Sequence, residues 1–141
     1  SVPQLTVYQP SLLSIAVLCA AVLVQSFLAG VLALGPGEEV AGLPLKGDHT
    51  KLSFRLMRTY ANSTENLSVM VATTILAIVV GVSAAVVNWL VGLHLLFRLI
   101  YWAVYYSGIG KVNGGLRTIT YVAAFLMNVI LAGFVIVTML F

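Results

Sequence analysis

Arginine, asparagine, glutamate and tyrosine recur at helical spacing in three stretches of this chain. Arg55, Arg58, Asn62 and Glu65 stand at i, i+3, i+7 and i+10, which puts them on one face of a helix. Arg98, Tyr101 and Tyr105 follow at i, i+3 and i+7, and Arg117 and Tyr121 at i and i+4. A single carboxylate, Glu65, would face several guanidiniums. The surplus of positive charge wants an anion, which arginine forks and tyrosine hydroxyls are built to bind.

Such side chains need elements that carry them to one place, and the composition says what those elements are. Of 141 residues, 61% are hydrophobic and only 8% charged. Mean hydropathy is +1.09. Soluble domains carry about 25% charged residues, so lipid is the expected solvent. The uncharged run over residues 66–97 would extend roughly 48 Å as one helix, against a hydrocarbon core of about 30 Å. It must therefore turn, and Gly81-Val82-Ser83 is the candidate. The expectation is a single all-α domain, residues 1–141, forming an integral membrane four-helix bundle of up-down topology. Its helices fall at about 11–34, 53–81, 86–106 and 116–141.

With four crossings the first and third loops share a side. Lys46, Lys51, Arg55, Arg58, Lys111 and Arg117 all fall there, while the opposite side carries no Lys or Arg. By the positive-inside rule the charged side is cytoplasmic and both termini lie outside. Trp89 and Trp102, near opposite ends of the third helix, are expected to be interface aromatics. Glu65 and Arg98 lie roughly 24 Å and 18 Å from the outer ends of their helices at 1.5 Å per residue. A charge at the bilayer centre costs about 2.5–3.5 kcal/mol on insertion scales, so the two are expected to face inward and pair.

Other features read as structural. Cys19 is alone, so no internal disulfide forms, and it suits packing. His94 has no second membrane histidine to share a haem and is expected to be a hydrogen-bonded packing residue. No metal site is expected. Asn88, Thr73, Thr74 and Asn128 are expected to bond between helices or to backbone. The sequons at Asn62 and Asn66 sit at the cytosolic membrane edge and are discounted. No basic stripe exists outside the membrane flanks, which argues against nucleic acid. The first ten residues hold no Lys or Arg, so no cleavable signal peptide is expected there.

The spacing Arg55-x-x-Arg58-x-x-x-Asn62-x-x-Glu65 resembles the second-helix signature of the MAPEG family, the membrane-associated proteins of eicosanoid and glutathione metabolism. Arg98-x-x-Tyr101-x-x-x-Tyr105 and Arg117-Thr118-Ile119-Thr120-Tyr121 are similar to the family's third and fourth helices. The likeness covers nearly the whole chain and looks like a bacterial member akin to microsomal glutathione S-transferase, which would place it in the bacterial inner membrane. It implies a homotrimer with a glutathione site between subunits, open to the cytoplasm. Arg58, Asn62, Glu65, Tyr101, Tyr105, Arg117 and Tyr121 would line that site, with Arg98 as buried partner and further ligand contact. Glutathione would be cosubstrate and a lipophilic small molecule from the membrane lipid the second substrate.

Glutathione offers two carboxylates for arginine forks, an ammonium for Glu65, and a thiol that must ionise. A neighbouring cation favours the thiolate, the nucleophilic form. The resemblance assigns that catalytic role to Arg117, with Tyr105 or Tyr121 adding a hydroxyl. The implied activity is glutathione transfer to a lipophilic electrophile, or peroxide reduction. The alternatives are a non-catalytic lipid-binding protein of the same fold and a small proton-coupled transporter titrating on Glu65. The arginine excess around Glu65 opposes the proton cycling that a transporter needs.

Overall fold

The computed structural model describes residues 3–32, 52–107 and 115–141. The expected loops over residues 35–51 and 108–114 lie outside the described residues. After a helical turn at Pro3–Thr6 come four long helices: α1 (Gln9–Leu32), α2 (Leu52–Val80), α3 (Ala84–Ser107) and α4 (Leu116–Leu140). Among the described residues all regular secondary structure is helical.

The turn between α2 and α3 forms where the length argument requires it. Gly81 has φ +82°, a backbone region in which an L side chain costs about 1–2 kcal/mol. Its N–H reaches Ile78 O at 3.3 Å, and the N–H of Val82 reaches Ala77 O at 2.9 Å. These paired bonds are a Schellman cap, which satisfies the last carbonyls of α2. Val82 and Ala77 are both buried, supplying the apolar contact that accompanies such caps.

α1 starts at Gln9, ahead of the apolar run, because Pro10 in the first turn forgoes an N–H that would be unpaired anyway. The segment before it is clasped to the α2–α3 turn. Tyr8 Oη–H donates to Val82 O at 2.6 Å. Asn88 Nδ2 donates to Val7 O at 2.8 Å, while Asn88 Oδ1 accepts from the Ser11 N–H and Ser11 hydroxyl.

α3 packs most extensively against α4, and α2 touches all three others. α1 lies on α2 and α3. The helices α2 and α3 therefore form the shared middle, with α1 and α4 on their flanks. The core is thin and the outer surface apolar: Leu23, Phe27, Val79, Trp89 and Met139 are all largely exposed. Only lipid or another protein surface can cover such a face. Gln9–Leu28, Ala84–Ser107 and Leu116–Leu140 are long and apolar enough to cross a membrane. In α2 the apolar run Asn66–Val80 follows a half whose sequence carries Arg55, Arg58, Asn62 and Glu65. Hydroxyls in the apolar parts are satisfied by their own helices. Thr74 Oγ1 donates to Met70 O at 2.7 Å and Thr120 Oγ1 to Leu116 O at 2.9 Å.

Candidate functional site

One face of α3 changes character along its length. Its buried residues are Val87, Val91, His94, Arg98, Tyr101, Trp102 and Tyr105, which recur at three- and four-residue steps. The half of that stripe nearer Ala84 is aliphatic. The other half holds the groups that do chemistry, packed as tightly as the valines: Arg98 is 3% exposed, Tyr101 6% and Tyr105 5%.

Arg98 is held from three directions. Its guanidinium carbon lies 4.9 Å from the Tyr101 ring centroid and 5.4 Å from that of Trp102. Its Nη2 donates to Ser63 Oγ of α2 at 3.0 Å, and Trp102 Nε1–H donates to the same oxygen at 3.1 Å. Arg117, at the start of α4, lies 4.8 Å from the Tyr105 centroid. Tyr101 joins the two halves, with ring centroids 5.8 Å from Tyr105 and 5.9 Å from Tyr121 of α4. Each cation–π contact is worth about 0.5–2 kcal/mol. It fixes the plane of a guanidinium and leaves its N–H edge directed at whatever lies beside it, the geometry that a bidentate anion needs.

Arg98, Tyr101, Tyr105, Arg117 and Tyr121 thus come together on α3 and α4. Arg58 of α2 is exposed, and its charge acts on Tyr101 together with those of Arg98 and Arg117. Positive charge is therefore graded, from buried Arg98 through half-buried Arg117 to exposed Arg58. Arg55, Asn62 and Glu65 lie on α2, but their side chains are outside the described residues, and so is the expected Glu65–Arg98 pair.

Trp102 does not serve as an interface anchor. It is 5% exposed and its indole N–H is spent on Ser63, so it belongs to the buried cluster, whereas Trp89 faces outward at 70%. Its i+4 spacing from Arg98 puts Trp102 on the same face of α3. Ser63, noticed in the sequence only as part of a discounted sequon, is the common acceptor for both donors. Among the described residues α1 holds two buried polar side chains, Ser11 of the clasp and Gln25, whose Oε1 has no hydrogen-bond partner there. His94 donates from Nδ1 to Ala124 O of α4 at 2.8 Å, the hydrogen-bonded packing role expected of it. Asn88 likewise bonds between helices and to backbone.

The arrangement offers two aromatic-backed guanidiniums and three tyrosines at one end of a bundle with an apolar exterior. It suits a polar anionic ligand bound next to lipid. Comparison with known proteins gives the family. The model of the MAPEG family matches residues 11–137, which takes in every residue of the cluster. Searches of curated proteins and of solved structures returned no match. A match across nearly the entire chain makes this protein a member of the MAPEG family.

Proposed function

We propose that the protein is a glutathione-dependent membrane transferase or peroxidase acting on a lipophilic electrophile. The observation that carries the reading is the convergence of Arg98, Arg117, Tyr101, Tyr105 and Tyr121 in a chain of this family. All four helices cross the membrane in this reading. α2 has 29 residues and reaches about 43 Å at 1.5 Å per residue, enough to span with its polar half toward the cytoplasm. The chain assembles as a homotrimer in the bacterial inner membrane, with both termini outside and the site open to the cytoplasm.

Glutathione carboxylates take the arginine forks of Arg58 and Arg98, its ammonium takes Glu65, and Asn62 and Tyr101 complete the cradle. Arg117 stands beside the sulfur and stabilises it as thiolate, with Tyr105 or Tyr121 adding a hydroxyl donor. In the transferase reaction the thiolate attacks an electrophilic carbon. A C–S bond forms, the leaving group departs with its electron pair, and the thiol proton passes to water. In the peroxidase reaction two glutathiones and one hydroperoxide give the disulfide, an alcohol and water. The apolar exterior beside the cluster delivers the electrophile from the bilayer.

The test is turnover of an aromatic halide with glutathione by purified protein in detergent or lipid. Thioether should form in proportion to enzyme, and Arg117→Ala should lower the rate by about tenfold to a hundredfold. That is the worth of one hydrogen bond to a charged partner, about 1.5–3 kcal/mol. If neither the halide nor a lipid hydroperoxide is turned over by the wild type, the catalytic reading is wrong.

A further inference from the structure

Beside Arg98, a cavity of about 10 Å³ lies between α1, α2 and α3. Ser63, Asn66, His94 and Arg98 are among its walls, and apolar side chains of α1 and α2 complete it. A space of that size holds one water, provided two to four polar partners surround it.

His94 supplies the partner that distinguishes this cavity from an empty packing defect. It is 4% exposed. Its Nδ1 faces the Ala124 carbonyl, which can only accept, so that nitrogen carries the proton. In the neutral ring Nε2 is then an acceptor, and among the described residues no donor reaches it. A buried acceptor without a donor costs about 1–3 kcal/mol, which gives the site a reason to stay hydrated. Asn66 and Arg98, which both line the cavity, are the residues there that carry several N–H donors each.

We propose that this cavity is a binding site for a single water molecule, which donates to His94 Nε2 and accepts from Asn66 or Arg98. The water completes a link from Arg98 through His94 to the Ala124 carbonyl of α4. Arg98 is then tied to α2 through Ser63 and to α4 through His94, with no second charge needed on α4. The water site is argued from the cavity and from His94, and does not rest on glutathione being the ligand.

Nitrogen-15 histidine labelling in proteoliposomes tests it, with His49→Gln to leave His94 as the single signal. The spectrum should be that of a ring protonated at Nδ1, and polarisation starting on water should reach Nε2. A ring protonated at Nε2, or an Nε2 that receives nothing from water, overturns the proposal. Val22 also lines the cavity, and Val22→Leu should fill it: the water transfer to Nε2 should be lost while the Nδ1 proton stays. Transfer that survives the filling overturns the site as placed here. Turnover plays no part in these readouts, so they stand or fall apart from the transferase reading.

Discussion

At the scale of single residues, Ser63 carries more than its size suggests. One hydroxyl oxygen accepts from both Arg98 and Trp102, so two buried donors on α3 are fixed by one acceptor on α2. Ser63→Ala should lower the thermal stability of the detergent-solubilised protein by about 1–2 kcal/mol. Interhelical hydrogen bonds in membranes average about 0.6 and reach about 1.7 kcal/mol, and a charged donor puts this one at the upper end. Unchanged melting would mean that the two donors find other acceptors. The arginines and tyrosines were legible in the sequence because charge and aromatic hydroxyls are rare in apolar helices and their spacing survives translation into a helix face. Ser63 and Trp102 were not. A serine is common in any helix, and a tryptophan near a helix end fits the interface as well as the interior. Only the register between α2 and α3 brings the pair together, and spacing along one helix carries no information about the register between two.

At the scale of elements, the α2–α3 turn was readable from length alone, since a run too long to be one helix must reverse at its glycine. The Schellman cap at Gly81 and Val82 is the local chemistry that executes the reversal. The clasp that Tyr8, Ser11 and Asn88 form across that turn was legible only in part. Asn88 was expected to bond, but its partners lie about eighty positions away in sequence and belong to a segment with no charge or periodicity to mark it. Asn88→Ala removes both ends of a bifunctional amide. It should release the segment before α1, seen as faster amide hydrogen exchange over residues 5–12, with little effect on exchange at Arg98 or beyond. Equal acceleration throughout α3 would show that the clasp supports the whole bundle instead.

At the scale of the whole molecule, the exterior decides what the protein can be. Large apolar side chains cover α1 and α4, and among the described residues three helices are long and apolar enough to cross a membrane, so this member of the MAPEG family is a membrane protein. The homotrimer proposed for it should appear as three copies by native mass spectrometry from mild detergent. A monomer that still turns over would remove the need for a site shared between subunits. The membrane class and the all-helical architecture followed from composition and run length, because lipid leaves the backbone few choices. Assembly did not follow, since a lipid-facing leucine and a subunit-facing leucine look alike in one sequence.

The central claim is that the cluster around Arg117 binds glutathione as its thiolate. Purified protein should be titrated with glutathione while the ultraviolet thiolate absorbance is recorded, for the wild type and for Arg117→Ala. The wild type should give a saturable thiolate signal, approaching one per active site, that falls at least tenfold in the variant. A wild type that shows no thiolate at saturating glutathione, or a variant that keeps the full signal, would contradict it.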